Sequence, residues 1–425
     1  MKTKNLKSLV LAGVAALCLQ ASPADALLSS VKSTGMAAAV TAYPLDAFAG
    51  VYNPANMVLI CDRFDVGAFW VHDTQRMKIS GNAVINETRD ASARSSETYL
   101  AEFAFNKRFC CKYEMSMGLM VYNRNQLKTT YSPAIPLLGT TDTGLEFVHE
   151  TIAPVWAIKI CDAHHFGIAL NVNIQRIKVN GLQNFANSVF SIDPANTTNR
   201  GYDYNSGVGV TLGYTWQPMP CLRAGITWTP EGHMSKFNKY RGFIAEEGAF
   251  NTPQRVQGGI AYQAMPCLAV AFDVEWIEWR NIAMLRNPLE PNLDNIFTDL
   301  SDQSLKLGSA NGPGFGFKNQ WFFRLGVNYE YSDCVTLRAG FRHADTPVTP
   351  VNAAVNLLTM DVMQDVLTFG GTWKPDQCNE ISIVYALGFL HEVKGEDSVP
   401  ARLGGGEVDL KQKRCALGLA WGRYF

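Results

Sequence analysis

WFFRLGVNYEY, residues 321–331, sorts its side chains by parity into two unlike sets. Trp321, Phe323, Leu325, Val327, Tyr329 and Tyr331 fall on one side of an extended chain, and Phe322, Arg324, Gly326, Asn328 and Glu330 on the other. A period of two sustained over about ten residues predicts a β-strand, because successive strand side chains point to opposite faces. The next segment repeats the pattern, with Val335, Leu337, Ala339 and Phe341 opposed to Thr336, Arg338, Gly340 and Arg342. Upstream, Leu268, Val270, Phe272, Val274 and Trp276 alternate with Ala269, Ala271, Asp273 and Glu275. At the end of the chain, Leu417, Leu419 and Trp421 stand against Gly418, Ala420 and Gly422.

A soluble sandwich with one solvated face gives the same alternation. Three features favour a membrane barrel: apolar faces that turn aromatic at their ends, polar faces carrying glycine, alanine and opposite charges, and connections that alternate short with long. Short turns fall at 108–112, 161–164, 217–221, 263–267, 331–334 and 374–379. Long connections fall at 75–94, 124–142, 181–205, 231–253, 281–318, 345–361 and 394–409. Short periplasmic turns and long external loops in this alternation join about fourteen antiparallel strands. The closing Leu417-x-Leu419-x-Trp421-x-Arg423-x-Phe425 resembles the C-terminal signal of outer-membrane barrels, with Arg423 where an aromatic or aliphatic residue is usual.

The 425 residues are 47% hydrophobic and 18% charged, which suits a large folded chain rather than a disordered one. A formal charge of −1 offers no basic surface to nucleic acid. Residues 1–26 read as a secretory signal: Lys2, Lys4 and Lys7, an apolar run at 9–19, then Ala24-Asp25-Ala26 as the cleavage pattern. Leu17 before Cys18 argues against a lipoprotein. No later apolar run reaches the ~20 residues of a spanning helix, and lipid admits only helices and closed barrels. The expected location is therefore the outer membrane of a Gram-negative-type envelope.

The stretch GMAAAVTAYPLDAFAGVYNPANM, residues 35–57, carries Gly35, a run of small residues, Asp46 and the turn Asn53-Pro54-Ala55. It resembles the N-terminal hatch of FadL-type outer-membrane transporters of long-chain fatty acids and aromatic hydrocarbons. Segments 213–237, 258–279 and 323–348 are similar to that family's core hairpins, including Asp273-x-x-Trp276 and the LRAGxR pattern at 337–342. The resemblance spans essentially the whole mature chain; the long loops match nothing assignable. It implies an all-β barrel, residues 58–425, with a hatch at 27–57 in its lumen. It also implies a hydrophobic small-molecule cargo that is captured outside, held in a pocket and released sideways into outer-membrane lipid. A water-filled pore opposes such cargo, which gains about 0.8 kcal/mol per buried CH₂.

Candidate ligand contacts are Phe185, Phe190, Phe237 and Phe243 in the loops at 181–205 and 231–253, either an exposed capture surface or a closed cap. Arg324, Arg338 and Arg342 are predicted to face the lumen. There they meet a carboxylate headgroup or form a charge ladder with Asp273, Glu275 and Glu330. Gly118 is the candidate for a relaxed stretch of wall that opens sideways. Nine cysteines follow the signal. Cys110, Cys111, Cys161, Cys221, Cys267, Cys334 and Cys378 lie by the short turns, Cys61 at the start of the first strand and Cys415 near the start of the last. Without paired C-x-x-C spacing they predict no metal site. An odd count in an exported compartment suggests disulfides within the barrel or to other envelope proteins, against the alternative of reduced, scattered thiols. Neither a phosphate-binding loop, a zinc-protease motif nor a nucleophile elbow is present, so no enzyme and no cofactor are expected. A general porin and a structural or adhesive envelope protein are the competing readings.

Overall fold

Alternating polarity closes here into a continuous wall. The computed structural model describes residues 29–92, 96–110 and 112–425; the expected signal, 1–26, and Cys111 lie outside the described residues. The wall strands, in order, are β1 (Arg63–Ser80), β2 (Glu97–Cys110), β3 (Glu114–Tyr131), β4 (Thr143–Cys161), β5 (His164–Asn180), β6 (Asp203–Met219) and β7 (Leu222–Thr229). They continue as β8 (Gln254–Met265), β9 (Leu268–Glu278), β10 (Gln320–Ser332), β11 (Val335–Ala344), β12 (Val366–Trp373), β13 (Asn379–Val393) and β14 (Glu407–Tyr424). Each pairs antiparallel with its sequence neighbours, and β1 closes on β14 from Arg63↔Tyr424 to Ser80↔Glu407. The result is the expected barrel of fourteen strands. Two short strands in long connections, Glu87–Asp90 and His233–Met234, add to β1 and β6.

Parity assigns the faces as predicted. Trp321 is 45% exposed while Phe322 and Arg324 are 4% and 3% exposed. Outward aromatics gather near the strand ends: Trp216, Tyr262, Tyr331, Trp373 and Trp421 beside the short turns, Trp228 and Trp321 toward the long loops. Such girdles mark the two membrane interfaces.

The wall is taller than expected. β1 runs to Ser80 and β3 to Tyr131, through residues expected as loop at 75–94 and 124–142. The physical reason is an inversion of polarity along the strands. On β1 the outward face passes from Phe64, Val66 and Trp70 to Thr74, Arg76 and Lys78, while Met77 and Ile79 become the buried inward residues. On β14 the outward face passes from Trp421, Leu419 and Leu417 to Lys413 and Lys411, with Val408 and Leu410 buried inside. Below the crossover the apolar face meets lipid; above it the apolar face meets the outer loops. Those loops fold inward and share one apolar core with the strand tops, including Met77, Tyr131, Phe147, Phe243, Trp279 and Phe317.

Moving a charge below the crossover tests its position. Leu419→Arg is expected to cost about 2–4 kcal/mol in equilibrium refolding into lipid vesicles, as for arginine on the lipid face of a barrel. Lys413→Leu is expected to change little, and equal losses at both positions would remove the boundary.

Candidate functional site

The segment before β1 is threaded through the lumen and tied to the wall by polar atoms. It contains two short helices, α1 (Val31–Thr34) and α2 (Ala49–Tyr52), then a 3-10 turn over Pro54–Leu59. That turn, with the exposed junction at Cys61, delays the first wall strand to Arg63, a few residues past the expected 57/58 boundary. Pro54 sits at the start of the turn, where its fixed φ suits a helical start and its missing N–H is not needed. Asn53 caps it, accepting from the Ala55 N–H at 3.1 Å.

The same Asn53 donates to the Thr41 carbonyl at 3.0 Å and to Thr215 Oγ1 of β6 at 2.9 Å. Asp273 Oδ2 on β9 accepts three bonds from the segment, from the Val40 and Thr41 N–H groups at 2.8 Å each and Thr41 Oγ1 at 2.6 Å, and a fourth from Gln257 Nε2 at 3.3 Å. Asp46 accepts from Ser30 Oγ at 2.6 Å and from the Phe48 N–H at 2.9 Å. Burial, reinforced by the nearby Asp65 carboxylate, pushes the Asp46 carboxyl above its ordinary range. Lys32 pairs with Glu380 of β13, which also meets Arg63. Burial lowers the Lys32 ammonium to about 8, with Arg63 adding to the effect and Glu380 opposing it.

Lumen-facing glycines seat this segment. A Cβ at Gly167 would fall on the Pro54 backbone, and one at Gly340 on the backbone joining Met36 to Ala37. Gly35 itself packs its Cα against Gly370 of β12. Ala37 and Ala38 hold left-handed φ values of 51° and 61°, conformations that non-glycine residues adopt rarely. The Ala37 N–H donating to Thr368 Oγ1 at 3.1 Å helps hold them there.

Above the segment runs a series of cavities that share lining residues. The outermost is apolar, lined by residues such as Ile79, Leu138, Phe185, Phe243, Leu293 and Leu403. Phe243 also lines the second, whose walls include Phe147, Phe250, Trp279 and Phe315 and whose polar edge carries His149, Arg255 and Asp361. The third is charged: Arg124, Arg255, Arg324 and Arg414 face Glu275 and Asp361. Arg324 pairs with Glu275, Arg255 Nη1 lies 3.3 Å from Glu275, and Arg414 forks onto Asp73 at 2.8 and 2.9 Å. Asp361, on the long connection between β11 and β12, has its carboxyl raised by burial against the pull of Arg414 and Arg342. The fourth shares Arg124, Arg255 and Glu275 and ends on Val51 and Tyr52 of the N-terminal segment.

Among the described residues, one interval of the wall is unpaired. The β2–β3 ladder ends at Phe103↔Val121; above it residues 97–102 pair only with β1, and 122–131 only with β4. A register shift between Asn123 and Asn125 throws Arg124 inward, and the Ser92 N–H donating to the Thr130 carbonyl at 2.7 Å closes the top. The interval is therefore a window in the sheet. Its edges carry Thr98 and Glu102 on β2 and Asn123 and Arg124 on β3, each with a buried side-chain atom lacking a protein hydrogen-bond partner. The N-terminal segment touches both edges, the Val31 N–H donating to Glu102 at 3.2 Å and Ser29 Oγ to the Asn123 carbonyl at 3.3 Å.

Several expected site residues find different surroundings. Phe185, Phe190, Phe237 and Phe243 do not form an exposed capture surface; they pack into a closed cap, with Phe185–Phe190 centroids 5.2 Å apart and Phe237 fully buried. Of these, Phe185 and Phe243 line the apolar cavities. Of the arginines, Arg324 reaches the charged cavity, whereas Arg338 lies lower, beside Gly35, donating to Thr372 Oγ1 at 2.7 Å. Arg342 is buried over the Phe322 ring at 5.6 Å. The expected charge ladder exists at Glu275, but Asp273 is spent on the N-terminal segment and Glu330 is exposed. Gly118 is not a point of relaxed pairing: it pairs with Asn106 and Val155 and faces Met57, and the window begins beyond Val121. Arg124, Arg255, Arg414 and Glu102 were not singled out from sequence. The signal for Arg414 was its parity with Gly418 and Gly422; Arg124 lay in a stretch read as loop.

The eight described cysteines are free thiols, so the expected cross-links within the barrel are not formed among them. Neighbouring short turns are two strand spacings apart, about 10 Å, too far for the Cα separations a disulfide requires. Cys415 sits mid-strand on β14 opposite His72 rather than near that strand's start.

A transmembrane barrel whose lumen holds its own N-terminal segment beneath an apolar cap defines a class of outer-membrane transport protein. The chain belongs to the family described as outer membrane protein transport protein (OMPP1/FadL/TodX), whose pattern matches residues 14–423. Members are transporters of the Gram-negative outer membrane, not enzymes. Solved structures share the fold at low identity. A Pseudomonas aeruginosa FadL homologue is 14% identical with a TM-score of 0.67, the alignment covering 93% of this chain and 98% of that one. The P. putida toluene transporter TodX is 14% identical at 0.64, covering 92% and 97%. The Ralstonia pickettii toluene transporter TbuX is 14% identical at 0.61, covering 93% and 98%. No curated protein matches the sequence.

The anchor at Asp273 gives a direct check. Asp273→Ala leaves four donors, three of them on the N-terminal segment, facing an apolar side chain, at about 1–3 kcal/mol for each buried group left unpaired. Hydrogen exchange at the Val40 and Thr41 amides is expected to accelerate at least tenfold while the wall strands stay protected; unchanged exchange would show that the anchor is dispensable.

Proposed function

We propose that the protein carries amphipathic hydrophobic molecules, long-chain carboxylates in preference to plain aromatic hydrocarbons, from the outer surface into the outer-membrane lipid. The carrying observation is the order of the cavities, with two apolar spaces above one where four arginines meet two carboxylates. An alkyl tail gains about 0.8 kcal/mol per CH₂ in the upper spaces. A carboxylate at the lower end meets guanidinium groups, which bind it through paired donors. The solved relatives named as toluene transporters make a purely aromatic cargo the second reading.

The segment at 27–57 acts as a hatch in this reading. It blocks straight passage to the periplasm, so cargo leaves through the window between β2 and β3. The polar window edge favours this reading, because Arg124 lines both the charged cavities and that edge. Ser29 and Val31, bridging Asn123 and Glu102, act as the latch.

Uptake into cells separates the possibilities. Labelled oleate is expected to enter faster than labelled toluene, and Arg324→Ala with Arg255→Ala to lower oleate uptake about tenfold while sparing toluene. Toluene uptake alone, unaffected by the arginines, favours the second reading. A disulfide between Thr98→Cys and Asn123→Cys, across the window, is expected to stop uptake reversibly; undiminished uptake in the oxidised variant excludes the side exit. Deleting residues 27–56 is expected to convert a closed barrel into one with steady conductance in planar bilayers. Steady conductance of the intact protein would indicate a porin instead.

A further inference from the structure

We propose that the periplasmic rim is a covalent attachment surface, joining the barrel by intermolecular disulfides to a cysteine-bearing protein of the periplasm. The inference rests on the placement of thiols and is independent of what the barrel carries.

Every short turn holds a cysteine at or beside its bend: Cys110, Cys161, Cys221, Cys267, Cys334 and Cys378, with Cys61 at the junction leading into β1. All are exposed or partly exposed. The placement repeats in atomic detail. The carbonyls of Cys221, Cys267, Cys334 and Cys378 accept the N–H of Gln263, Glu330, Lys374 and Tyr424, each at 2.8 Å. Four successive hairpins thus hold a cysteine at the same backbone site, pinned to the following hairpin. Chance scatter of thiols along strands and loops would not select that site.

The pitch of the array decides what it can bond. Adjacent turns are about 10 Å apart, beyond the ~4.4–6.8 Å between Cα atoms of a disulfide, so the rim does not zip up on itself. A second copy in the same membrane places its rim in the same plane, within reach of only the thiols at the contact edge. A ring open on all sides of the periplasmic face fits a partner standing beneath it. The compartment keeps such bonds, because the periplasm is oxidising. The chemistry needs no reagent beyond the partner. A rim thiol loses its proton, and the thiolate attacks one sulfur of a disulfide on the partner. The S–S bond breaks, the partner's other sulfur leaves as thiolate and takes up a proton, and a mixed disulfide has replaced the partner's own. Cys415, in the wall between His72 and Leu387, lies away from this face and serves as the internal control.

The test uses full-length protein in the envelopes of the cells that make it, with thiols blocked by iodoacetamide at lysis. Non-reducing electrophoresis is expected to move most of the chain into bands heavier than the monomer by the mass of a second chain, all collapsing to monomer with reductant. Mass spectrometry of the linked peptides is expected to join rim cysteines to one periplasmic chain. Replacing the rim cysteines, and Cys111 with them, by serine is expected to abolish these bands, while Cys415→Ser leaves them unchanged. The idea is overturned if the wild-type thiols are fully alkylated without reduction, if every disulfide found lies within one chain or between two copies, or if linkage runs through Cys415. The alkylation count on the wild type decides the matter even where the multiple-serine variant fails to fold.

Discussion

The closing ladder between β1 and β14 is the constraint on which the remainder depends. In hydrocarbon an unpaired backbone N–H or C=O costs several kcal/mol, so a sheet with two free edges does not persist there. The first and last wall strands solve this by pairing over the whole of β1, from Arg63 to Ser80. The chain ends are fastened at the same place. Phe425 stacks on Phe105 at 5.7 Å, and its N–H donates to the Asp62 carbonyl at 3.2 Å. Closure in turn creates an interior that must be filled or hydrated, which the N-terminal segment partly does. The wall has glycine where that backbone passes close, and Asp273, Thr215 and Thr368 where its polar atoms need partners.

One stretch departs from this rule, and the departure is informative. Between Phe103↔Val121 and the Ser92–Thr130 hydrogen bond the sheet forgoes pairing, yet the interval is stapled by Ser29 and Val31 from within. A wall that tolerates unpaired polar groups beside a charged cavity has given up local stability. Such concessions concentrate where a protein works, because binding and passage require groups not already satisfied by their neighbours.

Much of this was legible in the sequence because lipid imposes a simple code. Alternation identified the strands, turn residues marked the periplasmic bends, and parity placed Arg324 and Asp273 inside. What escaped was whatever depends on height within the wall. Residues 75–80 and 124–131 keep the strand period but reverse its polarity, so a reader looking for apolar-out strands ends them too early. The same reversal hid Arg124 in an apparent loop and left open whether Phe237 and Phe243 were exposed or capped, which is decided by the loops bearing them folding back onto the inverted strand tops. Arg338 and Arg342 share a face with Arg324, but only vertical position separates a cavity liner from a residue beside the N-terminal segment. Gly118 was a reasonable place to look for a weak point; the opening nearby arises from where β2 stops pairing, a long-range property that no single residue announces.

The crossover of polarity along β1 and β14 also fixes how deep the molecule rides. Sliding the barrel inward by two residues, about 6.6 Å at ~3.3 Å per residue, would carry outward side chains such as Thr74 and Lys413 into the hydrocarbon. Sliding it outward by the same amount would lift Trp421 and Trp373 off their interface. A lysine at the bilayer midplane costs about 2–4 kcal/mol, with less near the interfaces, so draught is set within a narrow tolerance. A membrane that thickens or thins must therefore deform around this barrel.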